Sequence, residues 1–512
     1  MTERAHQPAA NDDADEWREA LLITLAGTLV RLFFGMLLSP FPDETYYWDW
    51  SRHLAFGYYD HPPVIAWLIA AGNWLAGLFG ANASPLAIRL FPVIAGGVAS
   101  YFASLVAYRL GGGGAARRTA VLIAVMPIAA SGLVLATPDA PLLAASAATL
   151  YCVVRALESQ PGSMSSLRWW SLGGLCLGVA FASKYTSILL PITVLIAMAA
   201  RPSLRERFKE PGPWVACAVA TLVFLPVLQW NAAHDWASFR FQLGHGLGPP
   251  SGSVVKRELD LVGGQLLLVS PILFVMAAWA VWRALRRPQR DVHFVLAAVA
   301  VGSWAFFVFS ATRRSVEANW PAPSYLPALV LLALAVPRHN QWLRRGMGVA
   351  GLITCLIYVN ALVTIIPIPA RRDPVARAAG WLNMANRVQD SRDALGQGGG
   401  ETYVGGDRYQ DVSELAYQLS DRPQTYCTCL SGRHNQYELW PGFQTVAKIG
   451  DNLVLAVDDT AMSAESPKKL GPYFSEVLAA GLAPLTRGRD TISVRRVWRL
   501  MGYRGGWPTR TP

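Results

Sequence analysis

The sequence predicts a mostly α-helical, polytopic membrane protein that ends in a small α/β domain outside the bilayer. Three observations carry this. Of the 512 residues, 53% are hydrophobic and only 15% are charged, whereas a soluble chain carries about a quarter charged residues. Apolar windows long enough for a helix to cross the hydrocarbon layer recur through the first 370 positions. Beyond them the pattern changes to short strand-like and helix-like segments separated by turns.

The opening stretch, MTERAHQPAANDDADEWREA, is polar and acid-rich, with no basic n-region and no cleavage site. The first apolar run is therefore expected to remain as a helix. Residues 1–19 read as a polar cytoplasmic segment and residues 20–369 as the membrane domain. About eleven spans follow, near 20–39, 86–108, 119–136, 140–157, 170–183, 185–200, 213–230, 259–282, 292–310, 320–336 and 347–368. The stretch 64–80 starts after Pro62-Pro63 and is broken by Gly and Asn. It reads as a helix lying on the membrane surface, within a first outer loop of residues 40–85. Gly111–Gly114 and GQGGG (396–400) read as flexible loops. Neither has the strand and helix context of a nucleotide-binding glycine loop, and no nucleotide cofactor is expected.

The net charge of +11 points first to nucleic acid, but most arginines sit in short loops between apolar runs. The positive-inside rule accounts for them, and no nucleic-acid partner is expected. One set of alternate loops carries Arg109, Arg117 and Arg118, then Arg155 and Arg168, then Arg201, Arg205, Arg207 and Lys209. It continues with Arg283, Arg286, Arg287 and Arg290 and ends with Arg338, Arg344 and Arg345. These read as cytoplasmic. The other set holds the first outer loop, ATPDAPL (136–142), Lys184, residues 231–258, TRRSVEANWP (312–321) and everything after 370. Every polar constellation of interest thus faces one, non-cytoplasmic side.

Residues 370–512 read as a small α/β domain on that side. ETYVGGDRYQDVSELAYQL is read as strand, turn and helix; PQTYCTCL, NLVLAVDD and TISVRRVWRL as strands; FSEVLAAGLA as a helix. Of the six cysteines, Cys152, Cys176, Cys217 and Cys355 lie in apolar runs and read as small core residues. Cys427 and Cys429 lack the second pair that a zinc site needs, and read as alternate faces of a strand.

The chemistry concentrates in FPDETYYWDWSRHLAFGYYDHPPVIAWL, residues 41–68. Acids beside a bilayer cost free energy unless they face water, a metal or a partner. Asp43 and Glu44 follow the first span, Asp60 and His61 end the aromatic stretch, and Asp139 stands between two spans. Singly, Asp43 and Asp139 look like helix N-caps, each beside a proline. Together, on one side, they suggest a shared site. Such acids can act as a general base toward a hydroxyl or hold a divalent ion that binds phosphate. Tyr46, Tyr47, Trp48, Trp50, Tyr58 and Tyr59 read first as interfacial belt residues, with stacking on a sugar as the alternative. Of the few cations on this side, Lys184 sits at the junction of two short runs, and Arg313 and Arg314 in a later loop. A lipid-linked phosphate leaving group requires such fixed positive charge.

PDETYYWDWSRHLAFGYYDHPP resembles the membrane glycosyltransferases of the GT-C fold, in the bacterial branch of the protein O-mannosyltransferase-like family. That branch includes the aminoarabinose transferase of lipid A and rhizobial enzymes that add galacturonic acid to lipopolysaccharide. TPDAPL, VEANWPAPSYL, GDRYQDVSELAYQL and SGRHNQYELW look like its recurring segments, so the resemblance spans nearly the whole chain. It implies transfer of a sugar from a polyprenyl phosphate, with inversion, to a cell-envelope acceptor at the periplasmic face of the inner membrane. It further implies Asp43, with Glu44, as the catalytic acids, and Asp60 and Asp139 as ligands of a divalent metal ion of unspecified identity. His61, Lys184, Arg313 and Arg314 would bind the lipid phosphate, with His61 standing where the family has a lysine. Tyr46, Tyr47, Tyr59, Glu317, Asn319 and Trp320 would line the substrate site. The expected partners are the polyprenyl-phosphate sugar, a glycolipid or glycan acceptor and membrane lipids. Lipid A or another lipopolysaccharide component is the leading acceptor. A flippase for a lipid-linked glycan and a protein O-glycosyltransferase are the competing readings.

Overall fold

The computed structural model describes residues 10–509, except 251, 367, 371–372, 397–398, 431 and 461–464. All eleven apolar runs are helical. Helix α1 (Ala10–Leu37) starts within the polar opening segment, whose remainder lies outside the described residues. After it come α2 (Pro42–Ser51), α3 (Val64–Gly77) and the long α4 (Pro85–Val125). Next are α5 (Asp139–Glu158) and α6 (Met164–Ser183). Among the described residues six helices are long and apolar enough to cross a bilayer, or eight if each of two bent pairs is one span.

The backbone breaks within two of these helical stretches. The expected span at 259–282 is a pair of helices, Val254–Val269 and Pro271–Arg286, bent by 101°. The bend falls at Ser270, where φ is 77° and the next residue is proline. Gly111–Gly114, expected as a flexible loop, is a tight reversal that joins two helices within α4, with Gly112 at φ 75° and ψ −173°. Only glycine takes that conformation at little cost. On one side of the reversal Gly97 packs on Thr28, and on the other Ile123 O accepts from Arg31. The freed Gly113 N–H donates to Asp13 Oδ1 at 2.6 Å, tying the reversal to α1.

The two sets of loops gather at opposite ends of the bundle. At one end Arg117 pairs with Glu16 and Glu19, Arg109 and Arg290 with Glu158, and Arg201 with Asp291. These are the loops that the positive-inside rule grouped together. The loops of the other set converge on the α/β domain.

That domain holds a five-stranded sheet of β1 (Thr402–Gly406), β2 (Thr425–Cys427), β3 (Asn452–Asp458), β4 (Phe474–Arg487) and β5 (Asp490–Tyr503). Their order is β2-β1-β3-β5-β4. β1 is parallel to β2 and β3, and β5 is antiparallel to β3 and β4. FSEVLAAGLA, expected as a helix, is the first part of β4. Its Leu, Ala and Glu favour helix intrinsically, but the ladder with β5 overrides that preference. Cys427 and Cys429 form a disulfide, not the free pair on a strand that the spacing suggested, because β2 ends at Cys427. Two helices matter for the site: α8 (Trp381–Leu395), after the link from the last span, and α9 (Tyr409–Gln418), between β1 and β2. One further helix, α7 (Ala237–Leu247), comes from the loop 231–258 of the membrane domain.

Candidate active site

Helix α2 carries the first acids. Pro42 starts it with φ already fixed, and the carboxylate of Glu44 accepts the Phe41 N–H at 3.0 Å, closing the first turn. From Glu44 to Trp50 every residue is buried. Tyr46, Trp48, Trp50 and Tyr58 form a core with Val412 and Ala416 of α9 and with Tyr437. They are therefore the packing between the first outer loop and the α/β domain, and not a lipid belt. Tyr46 and Tyr47 also line a large cavity described below. Tyr59 sits beside Phe241, its N–H bonded to Gln436 Oε1 at 2.7 Å, and is absent from the lining.

A cavity of about 1260 Å³ lies between the membrane domain and the α/β domain. Asp43, Glu44, Asp60, His61, Asp139, Lys184, Glu317, Asn319 and Trp320 all contribute to its wall. The loops that bring them together are distant in sequence.

The acids differ sharply in their surroundings. Asp43 is exposed and accepts one hydrogen bond, from Tyr409 Oη at 2.9 Å. Glu44 is fully buried, and its oxygens accept from Arg89 and from the Ala136 N–H at 2.8 Å. Glu44 is thus an anchor and not a second catalytic acid, because no oxygen faces a substrate unengaged. Neither Asp43 nor Asp139 is an N-cap: Phe41 and Pro138 hold those positions.

Asp60 is buried, bonded to Arg433 and to Tyr46 Oη at 2.8 Å. Burial pushes its carboxyl above the ordinary range, and Arg433 only partly opposes this. Asp139 receives Lys184 Nζ at 2.6 Å on one oxygen and Asn319 Nδ2 at 2.8 Å on the other. These two acids do not fit a shared divalent ion. Both oxygens of each are engaged by protein donors, and among the described residues no three His, Cys, Asp or Glu converge as a ligand set.

The basic groups form a cluster of their own. His61 is held well below the ordinary histidine range, first by burial and then by Lys184, Arg433 and His245. His245, at the end of α7, is lowered by burial and by Arg433, with Glu317 opposing. Burial and these cations disfavour the protonated form of His61, the residue expected at the lipid phosphate, and its Nδ1 is buried without a partner among the described residues. Arg313 lies over Phe309 and Arg314 beside Gly248; neither lines the cavity.

Several residues of the wall escaped sequence reasoning. Tyr409, Arg433, Arg377, Arg408 and Arg495 come from the α/β domain and its link, and His245 from α7. GDRYQDVSELAYQL and SGRHNQYELW contain three of them, so the signal lay in those segments and not in the spacing of their charges. Arg89 was hidden inside the second span.

Residues 60–230 match the family described as dolichyl-phosphate-mannose-protein mannosyltransferase. The chain is 28% identical over 417 residues to the lipid A galacturonosyltransferase RgtD of Rhizobium johnstonii, covering 79% of this chain and 83% of that one. ArnT from Cupriavidus metallidurans, bound to undecaprenyl phosphate, superposes with a TM-score of 0.64 at 17% identity, over 95% of this chain and 99% of that one. The oligosaccharyltransferase AglB from Archaeoglobus fulgidus superposes with a TM-score of 0.51 at 11% identity, over 87% of this chain and 70% of that one. The fold is that of the GT-C glycosyltransferases.

Proposed function

We propose that this membrane glycosyltransferase moves a sugar from a polyprenyl phosphate to a glycolipid acceptor of the lipid A type, at the outer face of a bacterial inner membrane. The likeness to the lipid A galacturonosyltransferase and to ArnT supports the donor and acceptor classes. The basic loops gathered at the far end of the bundle support the outward orientation. A disulfide between Cys427 and Cys429 suits an oxidising compartment.

One observation carries the reading: an exposed carboxylate, Asp43, stands in a cavity that also holds a cluster of basic groups. Asp43 takes the proton of the acceptor hydroxyl as that oxygen attacks the anomeric carbon. The bond from that carbon to the phosphate oxygen breaks, and the electron pair leaves with the polyprenyl phosphate. Attack opposite the leaving group inverts the anomeric centre. Lys184 and Arg433, each with N–H groups beyond those given to Asp139 and Asp60, hold the phosphate and stabilise its growing charge.

Mass spectrometry of envelope lipids from cells with the protein, without it, and with Asp43→Asn tests this. The expected result is one glycolipid that loses a sugar in both the deletion and the variant. A variant with the wild-type lipid profile removes Asp43 from the mechanism. No change in any lipid on deletion turns the reading toward a protein acceptor.

A further inference from the structure

At the α/β end of the cavity stand three arginines that the transfer step does not use: Arg377, Arg408 and Arg495. Arg495 is buried against the face of Trp381, 5.3 Å from the ring centre, and bonds Asp411 Oδ1 at 2.6 Å. Arg408 bonds Asp458 Oδ2 at 2.8 Å, and Asp458 also lies 3.4 Å from Arg495. These two cations and two acids balance. Arg377 does not belong to that balance. It is exposed to the cavity, and its guanidinium has no partner among the described residues. Lys184 and Arg433, the other cations of the wall, are both paired.

The backbone beneath Arg377 is held firmly. It lies in a single 3-10 turn, Pro374–Ala378, whose Val375 N–H donates to Asp373 Oδ1 at 3.0 Å. Asp373 is itself ion-paired with Arg487 at the end of β4. The Trp381 indole donates to the Arg377 carbonyl at 2.8 Å. Gly380, at φ 83°, lies so close to β4 that a Cβ there would meet the Thr486 nitrogen at 2.4 Å. A fixed main chain thus presents an unpaired guanidinium, with a second one buried on the same tryptophan, to a cavity that must hold both substrates. Arginine in such a setting recognises planar or tetrahedral oxyanions through paired N–H donors.

We infer that Arg377 and its neighbours form an anion subsite, apart from the Asp43 end, that takes an acidic group of a substrate: a carboxylate on the donor sugar or a phosphate on the acceptor. The inference rests on the proposed function for its substrate classes and extends it to what those substrates must carry.

The test uses the full-length protein in detergent and two pairs of probes, each pair differing in its acidic groups. These are D-galacturonate against D-galactose, and lipid A against lipid A stripped of phosphate. Ligand-dependent thermal stabilisation is measured for wild type, Arg377→Gln and Arg377→Lys at constant ionic strength. In at least one pair the acidic member half-saturates wild type at a concentration about fivefold or more below that of the neutral member. Arg377→Gln abolishes that difference and Arg377→Lys retains part of it. Loss with galacturonate assigns the group to the donor sugar, and loss with lipid A assigns it to the acceptor. If wild type and Arg377→Gln respond alike to all four probes, there is no such subsite. Because this reads binding alone, failure of sugar transfer in wild type would overturn the proposed function without touching the assignment of an anion subsite.

Discussion

Tyr409 donates its phenolic hydrogen to Asp43 Oδ1 at 2.9 Å, across a sequence separation of 366 residues. Its ring is fixed between Tyr46, 4.6 Å away, and the Arg433 guanidinium, 4.5 Å away. Tyr409 is therefore a positioning residue for the carboxylate that we propose as the base. Tyr409→Phe keeps the ring and its packing and releases the acid. Steady-state kinetics should show kcat down about tenfold with the donor KM changed by less than about twofold. An unchanged kcat would end this assignment.

Glu44 and its neighbour Asp43 should behave oppositely on substitution. Glu44→Gln leaves the buried Arg89 guanidinium without its anion, which costs about 3–5 kcal/mol. Thermal melting of the purified protein should fall clearly below wild type, while Asp43→Asn, at an exposed side chain, melts with it. Equal melting of both variants would refute the anchoring role of Glu44.

The basic cluster predicts a direction for donor binding against pH. His61 and His245 are held below the ordinary range by burial and by surrounding cations, including Arg433 and Lys184. A bound phosphate offsets that repulsion, so the complex holds more protons than the free protein. Affinity then rises as pH falls below the ordinary histidine value of about 6.5, the side to which both imidazoles are shifted. Titrating undecaprenyl phosphate below that value should show this slope, flattened by His61→Gln together with His245→Gln. If wild type and the double variant keep the same slope, the phosphate sits elsewhere.

Glu414 of α9 gives a stability signature. Buried between α9 and α2, and accepting from Thr45 and Gln418, its carboxyl is pushed up to about 8 by burial. Glu44 and Asp411 add to the rise, against the hydrogen bonds. A raised folded-state value means stability that is full below the unfolded value of 4.5 and is lost as pH climbs through about 8. Melting curves between pH 5 and 8.5 (roughly that window) should decline for wild type, and the decline should shrink in Glu414→Gln. Parallel curves would contradict the burial.

Helices and their two ends were legible because each follows from a one-dimensional pattern: apolar length for the spans, arginine placement for the ends. That Asp43 and Asp139 meet at one end of the bundle was legible for the same reason, and both line the cavity there. What each acid does was not. Asp43 and Glu44 are adjacent, and only the approach of Arg89 and Ala136 decides which is locked and which is open. Likewise Asp60 reads as a metal ligand until Arg433, a sequence separation of 373 away, is seen to occupy it. β4 was misread because Leu, Ala and Glu carry a helical preference that only its partner strand overrules. The protonation of His61 was not legible, because it is set by burial and by neighbours from other loops.

The ties from Asp43 to Tyr409 and from Asp60 to Arg433 also set an order in time. During synthesis both acids are made early, and their partners emerge only after the last span. Until then the carboxylates stand at the membrane surface untethered and the cavity has no roof. A chain that stops before residue 409 therefore lacks the side chains that hold both acids.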